Sequence, residues 1–486
     1  MKSSRIGTTV SVQSVGLAVA LSVLVAAVAA APTHGFTLAQ QRAVAVFTIA
    51  LLLWLTKPVP YTVSSLVSVT LLFALGVVES FGAATTGYAS TLVFFLLSLL
   101  LLGNAIASVG LDRQLARRLL SAESTPNRAV RSIAGGVFGL ALVMPSAMAR
   151  AVTLVPIVEQ LRESFGLTRG SGFDRASFLL LGHVNPIASM ALLTGGGMPL
   201  VTSEIIATSV QSLTWLRWAV LMVPPTALLY ALATVSAVFL TDVDGTRTVG
   251  RTGDGDGGVG SESGRPNGGR AIAGFEGSAS LTRDQRIVGV VMLGAIGSWI
   301  AGSFLGVPTV LPAVGAVAVL AAPGVGVVTA DDVADVNWGI IFLIGAMLSI
   351  LDALAATRAL DAVVAALTPV VPFSALAHWQ VIAVLLLLSV AIRVPFSTAS
   401  AAIVVALPIV LEFGSAFGVD RLFLSLSVLL VVGSTTLFPF NTTAVLVSMD
   451  RGPLSHVDVA GFGLVMMVLS FVVVVVSWLW YWPLVA

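Results

Sequence analysis

The sequence predicts an all-α polytopic membrane protein, with about 11 transmembrane helices in two inverted repeats, each holding a re-entrant hairpin and a broken helix. Three observations lead there. Of 486 residues, 57% are hydrophobic and only 10% charged, against roughly 25% charged in soluble domains, so a globule could not be covered with polar surface. Apolar stretches of about 20 residues, the length that crosses a hydrocarbon core, recur from end to end. The chain also repeats itself. The same composition excludes other classes. A net charge of +1 leaves no nucleic-acid footprint, and zero cysteines exclude disulfides, iron–sulfur clusters and thiol catalysis. Four scattered histidines form no His-Glu-x-x-His pattern. No nucleophile–base pair or acidic dyad lies in facing spans, so the reading is a transporter and not an intramembrane enzyme or sensor.

Residues 1–42 open with Lys2 and Arg5 ahead of an apolar run, Val15 to Ala31, that ends in small residues as a signal peptide does. Because ten further spans follow, we read it as a first transmembrane helix; either way the N-terminus is cytoplasmic. The one break in hydrophobicity is 242–286, where twelve of forty-five residues are glycine. Such a segment cannot bury enough surface to offset its ordering entropy, and reads as a flexible cytoplasmic linker.

The linker separates a first repeat, 43–241, from a second, 287–486. Pro145–Ser146–Ala147–Met148–Ala149–Arg150 leads into Leu154–Val155–Pro156–Ile157–Val158 and Ser164–Phe165–Gly166. Its counterpart, Pro395–Phe396–Ser397–Thr398–Ala399–Ser400, leads into Ala406–Leu407–Pro408–Ile409–Val410 and Ala416–Phe417–Gly418. These units are read as hairpins over about 128–164 and 377–415. Interrupted apolar segments follow over about 175–211, broken at Leu193 to Pro199, and about 420–449, broken at Leu437 to Thr443. A small amphipathic piece precedes each unit, at Gly110 to Leu120 and Thr357 to Leu367. Inside a bilayer, an interrupted helix leaves backbone groups without partners at several kcal/mol each, tolerable where the break lines a cavity. Matched interruptions in two halves therefore point to a transporter's binding site.

Charge sets the orientation. With the first helix starting inside and five spans per half, eighteen of the twenty-four basic residues fall on the cytoplasmic side. Four, Arg42, Arg217, Arg358 and Arg421, fall outside, and Arg150 and Arg393 lie within the hairpins. Removing the six linker arginines still leaves twelve against four. The odd span count per half inverts the second repeat and puts the C-terminus outside, in a cell membrane.

Taken from the residues, such a site offers helix N-termini that suit a carboxylate or sulfate. Ser146, Thr398, Ser400, Asn441 and Thr442 supply short donors and acceptors. Carbonyls freed at Gly195 and around the tips can ligate a hard cation such as Na⁺. Arg150, four residues after Ser146 in an apolar stretch, should face a cavity or a partner. We read it as a fixed cation that binds the anion, the alternative being a structural pair with Glu159 or a carbonyl. Arg393 is read as structural, His183 and Asn185–Pro186 as packing groups, and Glu204 as an interfacial carboxylate that could carry a proton.

The pattern resembles the divalent anion/sodium symporters, carriers of dicarboxylates, citrate and sulfate, over nearly the whole chain outside the linker. That family has Ser-Asn-Thr hairpin tips, matched here by Ser146–Ala147–Met148 and Thr398–Ala399–Ser400, and Gly-Thr-Pro-Pro-Asn-like breaks. Gly195–Gly196–Gly197–Met198–Pro199 keeps the glycine and Asn441–Thr442–Thr443 the threonine, and Val336–Asn337–Trp338–Gly339 looks like the start of a family span. The resemblance implies Na⁺-coupled symport by alternating access in a homodimer, with no cofactor beyond Na⁺ as coupling ion. Substrate would meet Ser146, Arg150, Gly196, Thr398, Ser400, Asn441 and Thr442; Na⁺ would meet Ser146, Ala147, Gly195, Thr398, Ala399 and Asn441. Neither tip has the family's asparagine, which bears on sodium coupling, and the alternative within transport is anion exchange or Na⁺/H⁺ antiport. One expectation follows for the linker: deleting 245–277 behind a generous replacement tether leaves membrane insertion and transport intact, measured as abundance and uptake, and loss of insertion would mark the segment as structured.

Overall fold

The computed structural model describes residues 12–29, 31, 35–119, 125–243, 281–367 and 376–486, and among these no residue is in a strand. The chain opens with α1 (Val12–Ala29), which lies along α2 (Leu38–Thr56). Gly16 makes that approach possible, because a Cβ there would sit 2.2 Å from Thr56 Oγ1. Then come α3 (Tyr61–Ala74), α4 (Thr91–Ser108) and the short α5 (Leu111–Leu119). A helix–turn–helix, α6 (Pro126–Ala141) and α7 (Ala147–Ser164), is followed by α8 (Gly172–Leu179), α9 (Gly197–Ser209) and α10 (Trp215–Thr241).

The second half repeats this order: α11 (Arg283–Leu305), α12 (Val310–Ala321), α13 (Trp338–Ala356) and the short α14 (Ala359–Leu367). A second helix–turn–helix, α15 (His378–Arg393) and α16 (Ala399–Ala416), precedes α17 (Arg421–Ser434), α18 (Thr443–Arg451) and α19 (His456–Val476). Among the described residues eight helices are long and apolar enough to cross a membrane, one of them being α16 of the second hairpin. Four further apolar helices are shorter: α3, α12, α15 and α17. Most of the glycine-rich linker, 244–280, lies outside the described residues. Its expected end at 286 comes earlier, because Thr282 and Gln285 cap each other reciprocally and start α11 at Arg283.

Packing crosses between the halves. α3 lies against α13, the counterpart of α4, while α12, the counterpart of α3, lies against α4. The hairpins do likewise: α7 contacts α18, the second arm of the other half's broken helix, and α16 contacts α9. Each hairpin also packs on the first arm of its own half, α6 and α7 on α8, and α15 and α16 on α17. Reciprocal pairing of this kind is what a two-fold relation between repeats produces. The outer layer, α2 to α4 with α11 to α13, thus frames a core of two hairpins and two broken helices.

Where the frame closes, backbones meet almost without side chains. A Cβ on Gly87 would lie 2.2 Å from Gly345 O and 2.4 Å from Ser349 N. The Gly87 N–H donates to Ser349 Oγ at 3.0 Å, the small-residue contact that membrane helices use in place of a hydrophobic drive. Gly87→Ala should therefore cost about 1–3 kcal/mol of overpacking, read as a lower melting temperature in detergent, whereas Gly135→Ala, which meets nothing within 4 Å, should leave it unchanged.

Candidate functional site

The turns of the two hairpins and the two helix breaks line one cavity of about 210 Å³. The first turn contributes Pro145 to Met148, the first break Gly196 to Met198, the second turn Ser397 to Ser400 and the second break Asn441 to Thr443. Four helix N-termini point there. Ser146 caps α7, its Oγ accepting from Ala149 N at 3.2 Å. Thr398 caps α16, its Oγ1 accepting from Ala401 N at 3.4 Å. The caps of α9 and α18, Gly196 and Thr442, use no side-chain hydrogen bond. Each N-terminus presents about half a positive charge and unpaired N–H groups.

The breaks have local causes. Pro186 cannot donate, and the backbone ahead of it widens into a π turn over Leu180–Val184, with Asn185 N bonding to Leu180 O. Gly196 stands at φ 156° and ψ −171°, a region essentially reserved for glycine. A Cβ there would lie 2.9 Å from Pro145 O, and one on Gly197 would lie 3.0 Å from Ser400 Oγ. The first break therefore touches its own hairpin turn and that of the other half.

Buried side chains fasten turns to breaks. Arg150 donates from Nε to Asn185 Oδ1 at 2.7 Å, from Nη2 to Asn185 O at 3.1 Å and to Ser189 Oγ at 2.6 Å, and from Nη1 to Met144 O in the turn. Asn185 returns its Nδ2 to Ala147 O at 2.7 Å. In the second half Arg393 donates to Phe396 O at 2.7 Å, Asn441 O at 2.7 Å and Val432 O at 3.2 Å. The Asn441 Nδ2 donates to Val394 O at 2.9 Å and Phe396 O at 2.8 Å, while its Oδ1 accepts from Phe438 N at 2.9 Å. Both guanidiniums are at most 1% exposed, and neither is ion-paired among the described residues.

A family model described as "Sodium:sulfate symporter transmembrane region" matches residues 11–486. The chain belongs to the sodium:sulfate symporter family. A curated protein named only "Membrane protein", from Cupriavidus necator, is 27% identical over 227 residues, which is 43% of this chain and 44% of that relative. The match thus spans less than half the relative's length. Membership makes the chain a multi-pass membrane protein of a transporter family, and gives the cavity a context.

Against that family reading, Ser146, Ala147, Gly196, Thr398, Ala399, Ser400, Asn441 and Thr442 all line the cavity. Arg150 and Gly195 do not. Arg150, expected to grip the anion, instead spends its donors on the first turn and on Asn185 and Ser189, and reaches the cavity wall only through Ser189. Its partners are three carbonyl oxygens and the Ser189 hydroxyl, and not Glu159. Gly195 lies behind the wall, where a Cβ would fall 2.1 Å from Ser189 O. The Asn441 amide lines the cavity but is fully used by the backbone of its own hairpin and break, and Ala147 O already accepts from Asn185. His183 packs away from the cavity, its Nε2 3.2 Å from Val459 O, and Glu204 lines a separate cavity of about 310 Å³.

Sequence reasoning missed Ser189, Ser397 and Thr436; Arg393, read as structural, bonds only to carbonyls and also lines the cavity. The signal was present for Arg393: Arg150 follows its cap by four residues and Arg393 precedes its cap by five, each about one helical turn from a tip. A direct consequence concerns Arg150. Removing it strands buried carbonyls, so Arg150→Ala should cost on the order of 3 kcal/mol and lower membrane abundance in step with activity. Arg150→Lys should recover part of both, and normal abundance with abolished uptake would restore the anion-gripping role.

Proposed function

We propose that the protein is a secondary active transporter that couples Na⁺ to the movement of a small divalent anion, such as sulfate or a dicarboxylate, or of citrate. The observation that carries this is electrostatic. Four helix N-termini face one cavity, and beside them stand two buried guanidiniums that no carboxylate neutralises among the described residues. In a low-dielectric interior such charge is felt strongly, and an anion with about two negative charges is its natural complement. Na⁺ would be held by oxygens at the two tips, with the Ser146, Thr398, Ser400 and Thr442 hydroxyls and tip carbonyls as ligands. The Ser400 and Thr442 hydroxyls make no hydrogen bond among the described residues and are free to serve.

The two hairpins and broken helices move as one body against the frame, opening the cavity alternately to either face. Re-entrance of the hairpins from opposite faces of a cell membrane, a cytoplasmic N-terminus and linker, an outside C-terminus and a homodimeric frame complete this reading. Uptake of labelled sulfate and succinate into proteoliposomes, driven by an imposed Na⁺ gradient or an imposed proton gradient, tests it. Acceleration by Na⁺ alone is expected; uptake indifferent to Na⁺ but stimulated by internal anion would mean exchange. Thr398→Val and Thr442→Val, which keep shape and remove a hydroxyl, should each lower uptake about 10- to 100-fold at unchanged abundance.

A further inference from the structure

The two buried arginines spend most of their donors on the protein: three of the five N–H groups of Arg393 go to the Val432, Phe396 and Asn441 carbonyls, and four of the five of Arg150 go to Met144, Asn185 and Ser189. A third cation touches a residue of the cavity wall. Lys57, the residue that ends α2, donates from Nζ to Ser397 Oγ at 2.7 Å, and Ser397 is a lining residue of the second hairpin turn. The Tyr61 hydroxyl meets the same oxygen at 3.1 Å, and the ammonium lies 5.0 Å from the Tyr61 ring centre. Lys57 is exposed. Its backbone sits in the left-handed region at φ 47°, turning the chain between α2 and α3 so that the side chain projects toward the hairpin of the other half. An ammonium has three N–H groups. One is engaged by Ser397, leaving the others for an incoming oxygen.

We propose that Lys57 is a specificity-determining residue that binds the second negative charge of the transported anion. This rests on the anion-transport reading above. The helix N-termini take one charged group, and Lys57, on the frame side of the same wall, takes the other by a full-charge hydrogen bond. A monovalent anion satisfies the N-termini and leaves Lys57 on Ser397, so it gains nothing from the lysine.

The sequence supplies a clean test, because Lys2 and Lys57 are the only lysines in the chain. Purified protein in Na⁺-containing detergent buffer is treated with an amine-reactive acylating reagent, and modification of each lysine is followed by peptide mass spectrometry. Sulfate or succinate should slow acylation of Lys57 about tenfold, the effect of one charged hydrogen bond, with Lys2 unaffected and acetate without effect. In melting-temperature titrations Lys57→Met should lose about tenfold in affinity for sulfate and succinate and none for acetate, while Lys57→Arg keeps most of the divalent preference. If the divalent anions stabilise wild type yet leave Lys57 acylation unchanged, or if Lys57→Met keeps the wild-type preference, the assignment is overturned while the transport reading stands. If no anion stabilises the wild type, the transport reading falls and takes the assignment with it.

Discussion

The structure turns on a single constraint: a polypeptide interrupted inside an apolar interior must still satisfy its backbone polar groups. Two hairpin turns and two breaks release carbonyls around one cavity, and each one left bare costs several kcal/mol. The chain meets this with an arginine and an asparagine in each half, Arg150 with Asn185 and Arg393 with Asn441. These bonds fix each turn against a break of its own half. The four helix N-termini converge because the turns and breaks that precede them are tied together.

The two halves solve the problem from opposite directions. Arg150 leaves the exit arm of its hairpin and reaches back to Met144 in the turn. Arg393 leaves the entry arm and reaches forward to Phe396. Asn185 sits before its break and Asn441 inside its own. The repeat is thus conserved as a set of bonds and not as aligned residues. Using guanidinium for this has an electrostatic consequence, because a neutral amide could satisfy carbonyls without leaving net charge. Among the described residues no carboxylate pairs with either cation, so the bonds that satisfy the carbonyls also leave net positive charge beside the cavity.

Much of the fold was legible in the chain. The all-helical membrane class, the place of each helix–turn–helix and the location of both interruptions followed from apolar length, the Pro-Ile frame and the glycine and proline clusters, all local signals. The lining residues at the tips were legible for the same reason, since a cap residue is identified by what immediately follows it. Side-chain direction was not. Arg150 lies in an apolar stretch that demands a partner, but the partners, Asn185 and Ser189, are 35 and 39 residues away. Lys57 was informative only as a charge on one side of the membrane, because its partner Ser397 is 340 residues distant. The early start of α11 was missed because an arginine-rich helical turn and a glycine-rich linker run together in composition, and only the Thr282–Gln285 cap separates them.

The caps also divide the labour among the four N-termini. At α7 and α16 the Ser146 and Thr398 hydroxyls accept from the third amide of the helix at 3.2 and 3.4 Å, long bonds for this type. Little is lost when such a hydroxyl turns its free lone pair to a cation or its proton to an anion, and the amide it leaves becomes a donor in its place. At α9 and α18 no side chain caps the helix end. Two ends are therefore capped by a side-chain hydroxyl and two are not. The absence of asparagine from both tips fits this division: the amide side chains serve the backbone of the broken helices, at Asn185 and Asn441, and the tips keep only groups whose bonds are weak enough to exchange.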